Sequence, residues 1–162
     1  MVEFDGAAMH RAFEAANESR GDLYVEILRA LEARLGRDEA VATMKSAIRA
    51  WGRTLAGGLV HHAPDGFEGL CRDFARAPDG GFTFGARVDR CDGEGLDVQF
   101  EKCPLKRAWV AAGLPEDEVA LLCEIAAEAD YGTMEAAGFD VAIQTWKPGC
   151  SGCCTLRIRP PA

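Results

Sequence analysis

Seven cysteines in 162 residues offer most of the chemistry in this chain: Cys71, Cys91, Cys103, Cys123, Cys150, Cys153 and Cys154. Three of them fall in one short loop, Cys150-Ser151-Gly152-Cys153-Cys154. A C-x-x-C pair with an intervening glycine can grip one zinc, and a closed site then needs further ligands. Cys103, Cys91, His61 and His62 are candidates to supply them. The thiol set expected to hold a metal, zinc or iron, is Cys103, Cys150, Cys153 and Cys154. Vicinal cysteines bridge poorly, so any disulfide in the loop would use Cys150. Cys103 precedes Pro104, and a thiol at a helix start feels the positive end of the dipole. That favours thiolate, as a nucleophile or a ligand requires; a buried cysteine closing a strand fits the same position. Cys123 and Asp130 are seven residues apart and share one helix face. A carboxylate on a mostly apolar face needs a partner, so Asp130 is a candidate general base. Cys123 taken alone reads as core. His61-His62 can act as ligands or acid–base groups, or stand in a solvated loop.

The elements that must position these groups follow from periodicity. Ala8, Met9, Phe13 and Ala16 recur at helical spacing up to Gly21. Asp22 can cap a second helix through Leu23, Ile27, Leu28, Leu31 and Leu35, with Gly36 past its end. Asp38 can cap a third that turns Val41, Met44, Ile48, Trp51 and Leu55 inward. A short helix spans 66–75. The period then drops to two: Phe82, Phe84, Ala86 and Val88 alternate with Thr83, Gly85 and Arg87. A turn at Asp92-Gly93-Glu94-Gly95 leads to Leu96, Val98 and Phe100, completing a β-hairpin. Pro104 starts a helix ending near Gly113, and Pro115 starts another under the acidic Glu116-Asp117-Glu118. Phe139 to Thr145 is a third strand and Cys153 to Arg159 a fourth. Alternation in that last strand turns Cys154, Leu156 and Ile158 inward and Cys153 outward. The order predicts an α+β fold: N-terminal helices, then an antiparallel sheet of about four strands arranged as hairpin, two helices, hairpin. A single domain over 1–162 is expected, helical in 1–60 and mixed in 66–160.

The net charge of −8 disfavours phosphate backbones and anionic membranes, so neither nucleic acid nor membrane is expected as a partner. The first residues carry no basic and apolar leader. No stretch approaches the ~18 apolar residues of a membrane span. A cytoplasmic protein with free thiols is the expectation, and self-association is open.

Cys103-Pro104-Leu105-Lys106-Arg107-Ala108-Trp109, then Ala112-Gly113-Leu114, Leu121-Leu122-Cys123-Glu124-Ile125 and Asp130-Tyr131-Gly132 together resemble the L-2-amino-thiazoline-4-carboxylic acid hydrolase family. A final strand opening at Cys154 fits the same pattern. The likeness covers about 91–158; the helical first half matches in length and character. The order of elements also resembles vinyl-4-reductase-type small-molecule-binding domains. The resemblance implies a hydrolase that opens a cyclic amidine or thiazoline ring at a C–N or C–S bond. Cys103, Cys123 and Cys154 would be nucleophile or metal ligands, Asp130 the base or ligand orienter, and Arg157 or Lys106 the anchor of a substrate carboxylate. The alternative is a non-enzymatic, sensor-like domain whose pocket of Trp109, Phe100 and Trp146 holds a small molecule or metal.

Overall fold

The computed structural model describes residues 6–77 and 79–162. Helix α1 spans Gly6–Leu35 without a break. Gly21, read from sequence as a stop, is instead a contact. A Cβ there would lie 3.1 Å from the Leu105 Cα, so its absence lets α4 (Pro104–Ala111) press against α1. The Trp109 indole N–H donates to the Gly21 carbonyl at 2.8 Å and fixes the crossing. This buried contact outweighs the ~1 kcal/mol helix-propensity cost of a glycine. Gly36, at φ 80°, ends α1, as expected of a left-handed position.

Helix α2 (Arg37–Leu55) meets α5 (Glu116–Ala137) backbone to backbone. A Cβ on Gly52 would sit 2.2 Å from the Ala129 carbonyl oxygen, and one on Gly132 would sit 2.1 Å from that of Arg49. Thr133 Oγ1 donates across the same junction to the Gly52 carbonyl at 3.0 Å. Because Ala40, Met44 and Gly52 form the buried face of α2, Trp51 and Leu55 stand outside it, 39% and 47% exposed, against the sequence expectation. The Trp51 ring instead lies under the Arg20 guanidinium.

Two 3₁₀ turns, Ala56–Gly58 and Val60–His62, lead to α3 (Phe67–Leu70), which continues as one π-helical turn, Cys71–Ala75. The sheet follows: β1 (Ala86–Asp92), β2 (Gly95–Phe100), β3 (Asp140–Gln144) and β4 (Thr155–Arg159). Its order is β1-β2-β4-β3, antiparallel throughout, so the fold is α+β. Two boundaries differ from the periodicity. Phe82 to Gly85 form turns, because Gly81 and Gly85 adopt positive φ and Ala86 N–H bonds back to the Gly81 carbonyl. β4 begins at Thr155, so Cys153 lies in the preceding loop and strand alternation does not govern it.

Two apolar clusters result. One packs Leu96, Val98, Leu156 and Ile158 of the sheet on Leu70, Met134 and Phe139. The other joins Tyr24, Leu28, Met44, Trp109, Leu122 and Ile125 of the helices. No helix among the described residues is long and apolar enough to cross a membrane.

Candidate functional site

The seam between the two clusters encloses a cavity of about 180 Å³. Helix α5 supplies one wall: Cys123, Ala126, Ala127 and Asp130 recur at helical spacing and all face it. Cys103 and Leu105 enter from the start of α4, and Trp109 from one turn on. Phe100 closes β2, while Cys153 and Cys154 approach from the loop before β4. Arg20 reaches in from α1, and Phe74, Asp79 and Phe84 complete the mouth.

Cys103, Cys123, Asp130 and Cys154, far apart in the chain, therefore line one cavity. Cys153 joins them, and its burial overturns the expectation that it points outward. Cys150 does not line the cavity: it is exposed, and its carbonyl accepts the Trp146 indole N–H at 3.0 Å. The expected metal set of Cys103, Cys150, Cys153 and Cys154 is thus split, with Cys123 in the company of the other three. Lys106, a proposed carboxylate anchor, donates to the Gly152 carbonyl at 2.9 Å and covers the Trp146 ring. Arg157, the other, is exposed on β4. Trp109 and Phe100 line the cavity as expected; Trp146 does not. His61 and His62 are also outside it.

The cationic group the sequence did not reveal is Arg20. Its Nε is buried and has no hydrogen-bond partner among the described residues. An orphaned buried donor costs about 1–3 kcal/mol, and more on a charged group. No local signal marks Arg20, which sits in an otherwise ordinary helical stretch.

Burial dominates the protonation of the site. Asp130 is pushed up to about 6 by desolvation, partly offset by the nearby positive charge of Arg20. Cys103 rises to about 11 through burial, although backbone N–H groups of Lys106 and Leu105 pull the other way. The helix start therefore does not yield a standing thiolate, contrary to the dipole argument, because the cavity's low polarity outweighs two hydrogen bonds. Cys123 rises to about 12 through burial and then through Cys103 and Cys153. Cys154 is raised by burial, Cys103, Cys123 and Asp130. Cys153 is raised by burial and relieved by the Lys106 ammonium. At neutral pH the cavity lining carries a guanidinium, one carboxylate close to its titration point, the hydrogen-bonded carboxylate of Asp79 and four neutral thiols.

The α+β frame thus carries a thiol-lined cavity at the seam of its two apolar clusters. The chain belongs to the L-2-amino-thiazoline-4-carboxylic acid hydrolase family, whose model matches residues 16–157. Comparison with curated proteins finds no match. Among solved structures, a trafficking protein particle complex subunit 3 from Naegleria fowleri, covalently bound to palmitic acid, is similar over 91% of this chain and 96% of that one. The TM-score is 0.50 at 18% identity, a likeness of fold.

Proposed function

We propose that the seam cavity binds a small cyclic amidine acid of the 2-amino-thiazoline-4-carboxylate type and hydrolyses its ring. The observation that carries this reading is the pairing, along one cavity, of an unpartnered buried Arg20 Nε with the partly buried carboxyl of Asp130. The substrate class presents the complements of both. Its carboxylate suits a guanidinium fork, and its amidine suits a carboxylate. A cavity of about 180 Å³ suits a single-ring acid, since about 150 Å³ holds benzene.

In this reading water adds to the ring carbon that lies between sulfur and the two nitrogens. Asp130 accepts a proton from that water; a group titrating near 6 is close to the optimum for a general base at neutral pH. The C–S bond then breaks and the electron pair leaves on sulfur. One water proton ends on the ring nitrogen and the other, returned by Asp130, on sulfur. The oxygen becomes the carbonyl of a carbamoyl-cysteine. The neutral thiols of Cys103, Cys123 and Cys154 form a polarisable wall around the departing sulfur, and Arg20 holds the carboxylate. If a thiol attacks first in place of water, Asp130 must take its proton, because none of these three is ionised at rest.

The test is incubation with the thiazoline acid, following free thiol and product mass together. One new thiol per carbamoyl-cysteine is expected, with loss of turnover in Asp130→Asn. Unchanged substrate at enzyme-equivalent concentration overturns hydrolysis. A second reading then applies: a ligand-carrying domain. It is supported by the palmitate-bound solved structure of similar fold and by the apolar thiol cavity. That reading expects a mass adduct on a cavity cysteine that survives denaturation and is removed by hydroxylamine. The enclosed volume argues for an acid shorter than palmitate.

A further inference from the structure

The two histidines outside the cavity stand in an arrangement of their own. His61 and His62 end the second 3₁₀ turn, with ring centroids 3.8 Å apart. His62 is buried, and its Nε2 lies 2.9 Å from Asp73 Oδ2. Asp73 is carried by the π-helical turn Cys71–Ala75, a local distortion common at functional positions.

We propose that His61, His62 and Asp73 form a binding site for a first-row divalent transition ion. One donor atom from each lies within 4.8 Å of the others. Zinc-type ligands at 2.0–2.2 Å stand about 3.4 Å from one another in a tetrahedral site. The His62–Asp73 pair is already inside that spacing. His61 is exposed, so its ring is free of the core packing that holds His62. Two imidazoles and one carboxylate suit zinc, cobalt, nickel, copper or iron, with waters at the remaining positions.

The seat of His62 is built for an imidazole. A Cβ on Gly69 would fall 2.3 Å from the ring Cε1, and one on Gly66 would fall 2.6 Å from the His62 carbonyl oxygen. Glycine at position 69 admits the ring where it is, and glycine at 66 admits the His62 backbone beside it. The cleft beside His62 is lined by Asp65, Glu68 and Asp92 and by the cation Arg72; Arg90 pairs with Asp92 at 2.8 Å, so the charge that favours a cation is that of Asp65 and Glu68. Arg72 itself chelates Asp73, Nε to Oδ1 at 2.8 Å and a terminal nitrogen to Oδ2 at 3.1 Å. That guanidinium is 69% exposed, so a metal can displace it into solvent.

The site does not depend on the hydrolase reading. The test is titration of the reduced, full-length chain with cobalt(II), read by absorption. One cobalt per chain is expected, with visible ligand-field bands and no near-ultraviolet thiolate charge-transfer band. His61→Ala and Asp73→Asn, both accessible positions, are each expected to weaken binding at least tenfold. A thiolate band would place the metal on the cysteines and overturn the proposal. So would binding unchanged in both variants, or no cobalt bound at millimolar concentration.

Discussion

The helical core around Trp109 and the sheet core around Leu156 are closely packed and apolar, whereas the seam between them holds an arginine, two carboxyls and four thiols around open space. Each core contributes walls to that seam, but neither fills it. Small residues, Ala126, Ala127 and Ala129, stand on α5 where larger ones would close the gap. At the α2–α5 junction, by contrast, two glycines bring backbone against backbone and leave no room at all. The same helix α5 therefore serves tight packing on one face and a cavity on another. Stability comes from the filled regions, and the seam carries groups whose burial costs stability, the pattern that makes it the candidate site.

This contrast breaks most visibly at Asp130. Asp130→Asn is expected to reduce ring opening by about 10²–10⁴, the usual worth of a general base. The same substitution is expected to stabilise the fold. The folded carboxyl titrates near 6, above its ordinary value near 3.8. The unfolded chain therefore ionises first as pH rises. Wild-type stability falls between about pH 4 and pH 6 and then levels, a loss of up to about 3 kcal/mol that the Asn variant escapes. Parallel melting of the two proteins at pH 3.5 and pH 7.5 checks this: the curves should nearly coincide at the lower pH and separate at the higher.

Arg20→Met is expected to raise KM for a carboxylated ring by about 10–100-fold with a smaller change in kcat, as loss of a charged hydrogen-bond donor implies. Because Arg20 holds the Asp130 pKa down, the acid limb of the pH–rate profile should also move to higher pH. An unmoved limb with unchanged KM would separate Arg20 from the site.

In the packed region the expectation reverses. Gly→Ala inside an exposed helix gains about 1 kcal/mol from propensity. At Gly52 the new methyl meets a backbone carbonyl that cannot step aside, and overpacking of about 1–3 kcal/mol or more prevails. Gly52→Ala should therefore lower Tm by several degrees, measured by calorimetry. The smallest effect belongs to Cys150→Ser. The residue is exposed and outside the cavity, so turnover and Tm should be unchanged, while the readily alkylated thiols of the native protein, the exposed Cys91 and Cys150, fall from two to one.

Much of this architecture was legible in the chain. Two-residue alternation located most of each strand, and Pro104, Pro115 and Gly36 marked helix ends through φ alone. Cys103, Cys123, Asp130 and Cys154 were brought together by the family resemblance, Cys123 alone reading as core, and the fold places all four on one cavity. What stayed hidden was tertiary. Gly21 reads as a stop in any local rule and becomes a contact only when Leu105 arrives. Phe82 and Phe84 alternate like a strand, but the positive φ of Gly81 and Gly85 curls them into turns. Arg20 has no neighbour in sequence that sets it apart, and its role depends on a helix that starts more than eighty residues later. The sequence left Cys103 open between a thiolate and a buried thiol because helix-start donors are visible in sequence and desolvation is not.

The account turns on Arg20 and Asp130 recognising opposite ends of one small ring. Calorimetric titration of the thiazoline acid into wild type, Arg20→Met and Asp130→Asn tests it directly. Stoichiometric binding to the wild type, weakened by at least tenfold in the Arg20 variant and sensitive to pH near 6 only when Asp130 is present, is the predicted result. Equal affinity in all three proteins, or no binding to any, would contradict it.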